Sequence, residues 1–139
     1  RPMLDQKNYD FSFSGLKTAV LYKIRDLKEM TPSLTIEMAA EFQQAVIDVL
    51  IKKTIRAVKE YKAKTIILGG GVAANKELKE QLSLKIKKDL PLSTFYFPLS
   101  NFAGDNAAMI ALAAYFRVLS HKKIGDGSGI VADSNLKLK

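Results

Sequence analysis

The chain has 139 residues, the length of one domain, and a domain of this size buries roughly two thirds of the surface its unfolded chain exposes. With 47% hydrophobic and 26% charged residues it is neither disordered nor fibrous, and the lack of cysteine excludes disulfides, thiolate metal sites and a cysteine nucleophile. The formal net charge of +8 favours an anionic partner, nucleic acid or nucleotide.

The 22 basic residues are spread along the chain, with clusters near Lys52 to Lys64 and Lys76 to Lys88, and several fall where they complement helix dipoles instead. No apolar run reaches about 18 residues and no signal-peptide layout opens the chain, so a soluble cytoplasmic protein without membrane association is expected. The first residues are Arg1-Pro2, without an initiating Met, and a piece of a longer protein is expected.

Tyr9, Phe11 and Phe13 alternate with polar residues, which predicts a short strand or extended segment with one buried face. Ser14 opens a helix to about Lys28 whose stripe is Leu16, Ala19, Val20, Ile24 and Leu27, and Thr31-Pro32 closes its neighbourhood. The longest helix is predicted from about Leu34 to Tyr61, with Ile36, Ala39, Phe42, Val46, Val49, Leu50, Ile55 and Val58 on its buried side. The run Thr65 to Leu68, stopped by three glycines, reads as a strand covered on both faces of a parallel sheet.

Asn75 to about Lys88 is predicted as a helix carrying Leu78, Leu82 and Ile86, and Thr94 to Phe97 as a second buried strand ended by Pro98. Asn106 to about Leu119 reads as a helix apolar on nearly every side, and such helices are usually buried. Ile124 to Lys139, with the loop Gly125 to Gly129, reads as a loosely packed tail. The strand-helix-strand centre implies a right-handed parallel crossover. So few strands make an α/β domain that is expected to be incomplete, marginally stable or self-associating through an unpaired edge.

The turn Gly69-Gly70-Gly71 joins strand to helix, where outward backbone N–H groups suit phosphate or a ribose edge and glycine lets a ligand approach the main chain. It also spells a relaxed dinucleotide fingerprint, but the following strand ends Phe97-Pro98-Leu99-Ser100 without the carboxylate that would hold a ribose. A purely geometric turn with Asn75 as N-cap remains open. Asp105, before the apolar helix, is either an N-cap or a metal ligand or phosphate-associated carboxylate at the sheet's C-terminal side. The single His121 lies at the far end of that helix, a poor partner for Asp105 and for any serine nucleophile.

Three ordered stretches, Asp10 to Thr18 (DFSFSGLKT), Gly69 to Asn75 and Asp105 to Ala111 (DNAAMIA), together resemble one family. It is the tRNA N6-adenosine threonylcarbamoyltransferases, formerly described as glycoprotein endopeptidases, and the resemblance covers nearly the whole chain. It implies the C-terminal part of the second lobe of an actin-like ATPase, ribonuclease H-like fold, spanning residues 1–139 with a tail from about residue 120. It also implies transfer of threonylcarbamoyl from its adenylate to N6 of the adenosine beside the anticodon in tRNA.

The expected partners are therefore tRNA, threonylcarbamoyl-adenylate or another adenine nucleotide, and the partner proteins of the threonylcarbamoyladenosine-forming complex. The resemblance further implies one divalent metal ion, iron or zinc, held by two histidines of an H-x-x-x-H motif and one aspartate that Asp105 matches. Asn75 matches the asparagine contacting the nucleotide, and Gly69, Gly70 and Gly71 match the turn lining the same cleft. Ala103-Gly104 stands where the family usually has Cys-Thr or Ser-Thr, and the H-x-x-x-H motif is absent, so this chain alone is expected to be inactive and not to hold the metal. A non-catalytic nucleotide- or tRNA-binding piece and a dinucleotide-dependent oxidoreductase are the alternatives.

Overall fold

The computed structural model describes residues 1–27 and 29–120; His121 and the expected tail over 124–139 lie outside them. Among the described residues four α-helices and two strands follow in the order α1 (Ser14–Arg25), α2 (Pro32–Tyr61), β1 (Thr65–Ile67), α3 (Lys76–Asp89), β2 (Thr94–Tyr96) and α4 (Ala107–Leu119). This is the mixed α/β fragment expected of the actin-like, ribonuclease H-like lobe. Among the described residues no helix is long and apolar enough to cross a membrane.

The longest helix starts two residues earlier than the apolar pattern suggests. Thr31 is its N-cap, accepting from the Leu34 N–H at 3.2 Å, and Pro32 occupies the first turn, where a missing N–H costs nothing. Thr31-Pro32 therefore begins α2 and does not merely close the segment before it. At the far end Lys62 adopts a left-handed conformation with φ 53°, and the Ala63 N–H closes the helix onto the Val58 carbonyl at 3.1 Å.

β1 and β2 pair in parallel, Ile66 opposite Phe95, so the connection through α3 is the parallel crossover expected of a strand-helix-strand unit. Ile55 and Val58 of α2, Ile66 of β1, and Leu82 and Ile86 of α3 form the core, with Phe95 half-buried against it. Each such aliphatic side chain contributes about 1.5 to 3 kcal/mol when fully buried. Reciprocal amide bonds between Gln44 and Gln81, at 2.9 and 2.8 Å, tie α2 to α3 further along.

Four sequence expectations give way to this packing. α2 and α3 lie on the same face of the strand pair, so Ile66 is buried while Ile67 on the other face is 76% exposed, and β1 is not covered on both sides. The 14-residue α3 covers only part of the 30-residue α2, and the buried residues of α2 begin at Ala45, leaving Ile36, Ala39 and Phe42 exposed. α4 has no buried residue, because no described element packs over it. Tyr9 to Phe13 forms no strand, and Phe11 stays exposed between the half-buried Tyr9 and Phe13, so the expected buried face is incomplete.

That N-terminal segment is instead fastened to α2 by cations. The Lys53 side chain, buried, donates to the Asp10 carbonyl at 2.5 Å, and the Arg56 guanidinium donates to the carbonyls of Gln6 and Asn8. Arg56 also stacks over the Tyr9 ring, 4.7 Å from its centroid. The charged heads thus satisfy backbone oxygens that no sheet partner satisfies.

Where α2 and α3 end, Asp89 pairs with Lys85 at 3.1 Å and Lys59 at 3.7 Å. The hydrogen bond from Lys85 is the chief cause that holds this carboxyl below the ordinary aspartate value of 3.8. A carboxylate with a depressed folded-state pKa stabilises the fold above its unfolded value and loses that contribution as pH falls through the folded value. Asp89→Asn is accordingly expected to lower stability at neutral pH, with the gap to the unsubstituted protein closing as pH drops below the aspartate range. Denaturant unfolding of the full-length protein across that range measures it.

Candidate functional site

The C-terminal ends of two parallel strands face the same way, and both connections that leave them here carry the residues singled out by sequence. β1 runs into Gly69-Gly70-Gly71, and Gly71 to Ala74 form a short 3-10 turn before α3. β2 runs through Phe97 and Pro98 into a second 3-10 turn, Ser100–Phe102, which leads to Asp105. The two turns lie against each other, with Ala73 and Ala103 buried at their bases. Ligands of open α/β sheets bind outside this edge of the strands.

The three glycines are exposed, and a Cβ added at any of them would meet nothing within 4 Å. Gly70 alone requires glycine for its own conformation, φ 80° and ψ 174°, a region that side chains scarcely enter. Gly69 and Gly71 have ordinary φ and open space above them, so packing gives no reason for glycine at either.

Asn75 is half-buried and caps α3: its Oδ1 accepts from the Leu78 N–H at 2.9 Å, while Nδ2 donates to Gln43 Oε1 of α2 at 3.0 Å. The geometric role left open by the sequence is therefore filled. It leaves one amide proton and one lone pair for a ligand, since an asparagine amide has two of each. Gln43, 32 residues upstream, carries no local pattern that would have identified it.

Asp105 is exposed and is not the cap of α4. Asn106 takes that place, accepting from the Met109 N–H at 3.0 Å and donating to the Gly104 carbonyl at 2.9 Å, which folds the loop back on itself. Among the described residues no hydrogen bond joins Asp105 to the glycine turn or to Asn75. Lys79, one turn into α3, places its ammonium 3.4 Å from Ser100 Oγ and 5.4 Å over the Phe97 ring. It adds positive charge to this edge, a role that its place in a run of lysines along the sequence does not reveal.

The described residues contain no group of three or more His, Cys, Asp or Glu side chains placed to hold a metal ion. They do not fit a complete metal site. A groove of about 910 Å³ lies elsewhere, between α2, α3 and Leu4, with Asp48, Arg56, Lys59 and Glu60 among its lining residues. None of its lining residues belongs to the two turns, and the lining mixes acidic with basic side chains.

Residues 1–112 match the family model described as tRNA N6-adenosine threonylcarbamoyltransferase. A relative of that name from Thermosipho africanus is 46% identical over 139 residues, covering 99% of this chain and 40% of the relative. One from Listeria monocytogenes is 44% identical over 129 residues, 90% of this chain and 37% of the relative. One from Lactobacillus acidophilus is 50% identical over 119 residues, 83% and 34% respectively. The chain thus spans well under half the length of these relatives.

Proposed function

Because the chain belongs to the tRNA N6-adenosine threonylcarbamoyltransferase family, we propose that within its full-length protein it forms one wall of the site that transfers threonylcarbamoyl from its adenylate to N6 of the adenosine beside the anticodon in tRNA. The observation that carries this reading is the shared edge: Gly69 to Gly71, Asn75 and the Asp105 loop all leave the C-terminal ends of one parallel strand pair, with Asn106 relieving Asp105 of capping.

In this proposal the glycine turn admits the adenylate close to the main chain, and the spare amide proton or lone pair of Asn75 orients its nucleoside part. Lys79 favours the anionic phosphate. Asp105 supplies one donor, as ligand and not as base, to a divalent iron or zinc ion. The described residues do not complete that site, so the remaining donors come from outside them. The chain alone is proposed to be inactive, working with partner proteins in the cytoplasm, where its tRNA substrate resides. No ribose-holding carboxylate follows β2, so a dinucleotide-dependent oxidoreductase finds no support.

Full-length protein supplied with threonylcarbamoyl-adenylate and unmodified tRNA is expected to yield N6-threonylcarbamoyladenosine, read by mass spectrometry of the digested nucleosides. An active-site-intact preparation, assayed with its partner proteins, that binds the adenylate yet never modifies tRNA would remove the proposal.

A further inference from the structure

Two lysine clusters that are separate in the sequence meet at the edge of the strand pair opposite the glycine turn. α2 ends there and β1 begins, while α3 ends there and β2 begins: the Thr94 N–H bonds the Lys64 carbonyl at 2.8 Å, and Ser93 Oγ bonds the Ala63 carbonyl at 3.1 Å. This edge holds a shallow depression of about 400 Å³ lined in part by Lys59, Lys62 and Lys64, and the end of α3 adds Lys87 and Lys88 in its last turn and Lys85 just before it, all six exposed. The acids nearby are engaged. Asp89 is shared by Lys59 and Lys85, and Glu60 accepts the Tyr9 hydroxyl.

Helix dipoles explain a lysine in the last turn of each helix, which accounts for Lys59, Lys87 and Lys88. They reach Lys62, the C-cap of α2, but not Lys64, which lies beyond it at the approach to β1. Four ammonium groups, on Lys62, Lys64, Lys87 and Lys88, have no ion-pair partner among the described residues, and gathering them at one edge costs repulsion that an anionic polymer relieves. We propose that this lysine edge docks the sugar-phosphate backbone of the tRNA whose adenosine is modified at the opposite edge. The inference rests on the proposed function and extends it.

α3, with 14 residues, separates the two edges by about 21 Å. A mononucleotide cannot reach both, whereas a tRNA stem can. The lysine edge therefore contributes to tRNA affinity and not to adenylate affinity. Removing one lysine that neutralises a phosphate makes the salt dependence shallower by about one unit of log–log slope.

The test uses the full-length enzyme with Lys62→Gln, Lys64→Gln and Lys87→Gln combined, and a control of equal charge change, Lys23→Gln, Arg25→Gln and Arg117→Gln. The expected result is a loss of tRNA affinity of about 30-fold or more at moderate salt, a slope shallower by about 2 to 3, and unchanged binding of an adenine nucleotide. The control is expected to lose less than about 3-fold. Equal losses in both variants, or none in the first, overturn the lysine edge and leave the proposed function standing. Failure of the unsubstituted enzyme to bind tRNA overturns both. Leu92, 95% exposed in the same depression, calls for a further arm with phosphatidylserine vesicles. If the triple variant loses vesicle binding but not tRNA binding, a membrane surface replaces RNA as the partner.

Discussion

Replacing Asp105 with alanine in the full-length protein is expected to lower transfer activity by about 100-fold or more and to reduce bound metal, while stability changes by no more than about 0.5 kcal/mol. The separation of effects follows from the loop geometry. Asp105 is exposed, whereas the neighbouring Asn106 both accepts from Met109 N–H and donates to the Gly104 carbonyl. Removing a side chain that holds nothing in the fold leaves α4 and its cap intact. Asn106→Ala is expected to do the reverse, costing about 1 kcal/mol through loss of the cap. Metal analysis, a transfer assay and denaturant unfolding of both variants measure the contrast. Undiminished metal and activity in Asp105→Ala would show that the exposed carboxylate is not a ligand.

The glycine turn gives the second large effect, and its two halves separate stability from binding. Gly70→Ala is expected to destabilise by about 1 to 3 kcal/mol, because φ 80° and ψ 174° lie where a Cβ strains the backbone, although no neighbouring atom stands within 4 Å. Gly69→Ala meets neither obstacle, so stability is expected to hold within about 0.5 kcal/mol. Its new methyl nevertheless stands where the proposed adenylate approaches the main chain, and adenine-nucleotide affinity of the full-length protein is expected to fall about 10-fold. Calorimetric titration alongside thermal unfolding distinguishes the two substitutions. If Gly69→Ala binds nucleotide as tightly as the unsubstituted protein, the turn is a backbone device and nothing more.

Local features are legible in the chain wherever a short-range rule governs them. The helices around Val49, Leu82 and Ala111 announce themselves by apolar spacing, and the strands at Ile66 and Phe95 by apolar runs between turn residues. The three family motifs are equally readable, since each is contiguous. The start of α2 at Pro32 also has a local signal, a threonine cap before a proline, but the same pair reads as an ending when apolar spacing alone sets the boundary.

Whether a residue is buried is a different matter, because burial depends on which elements share a face. Ile67 and the whole of α4 are as apolar as the core, yet Ile66 is covered and they are not, since α2 and α3 pack on one side of the strand pair. Only the fold assigns the cap of α4 to Asn106 and not to Asp105, because a single residue's difference in register decides which side chain reaches Met109 N–H. Only the fold, likewise, joins Asn75 to Gln43 and brings Lys62 and Lys64 to the same edge as Lys87 and Lys88. The sequence by itself determined the elements, the family and the residue types at the proposed cleft. Tertiary structure decided which of those residues stand free for a ligand, because hydrogen bonds and burial are settled between segments that sequence proximity does not relate.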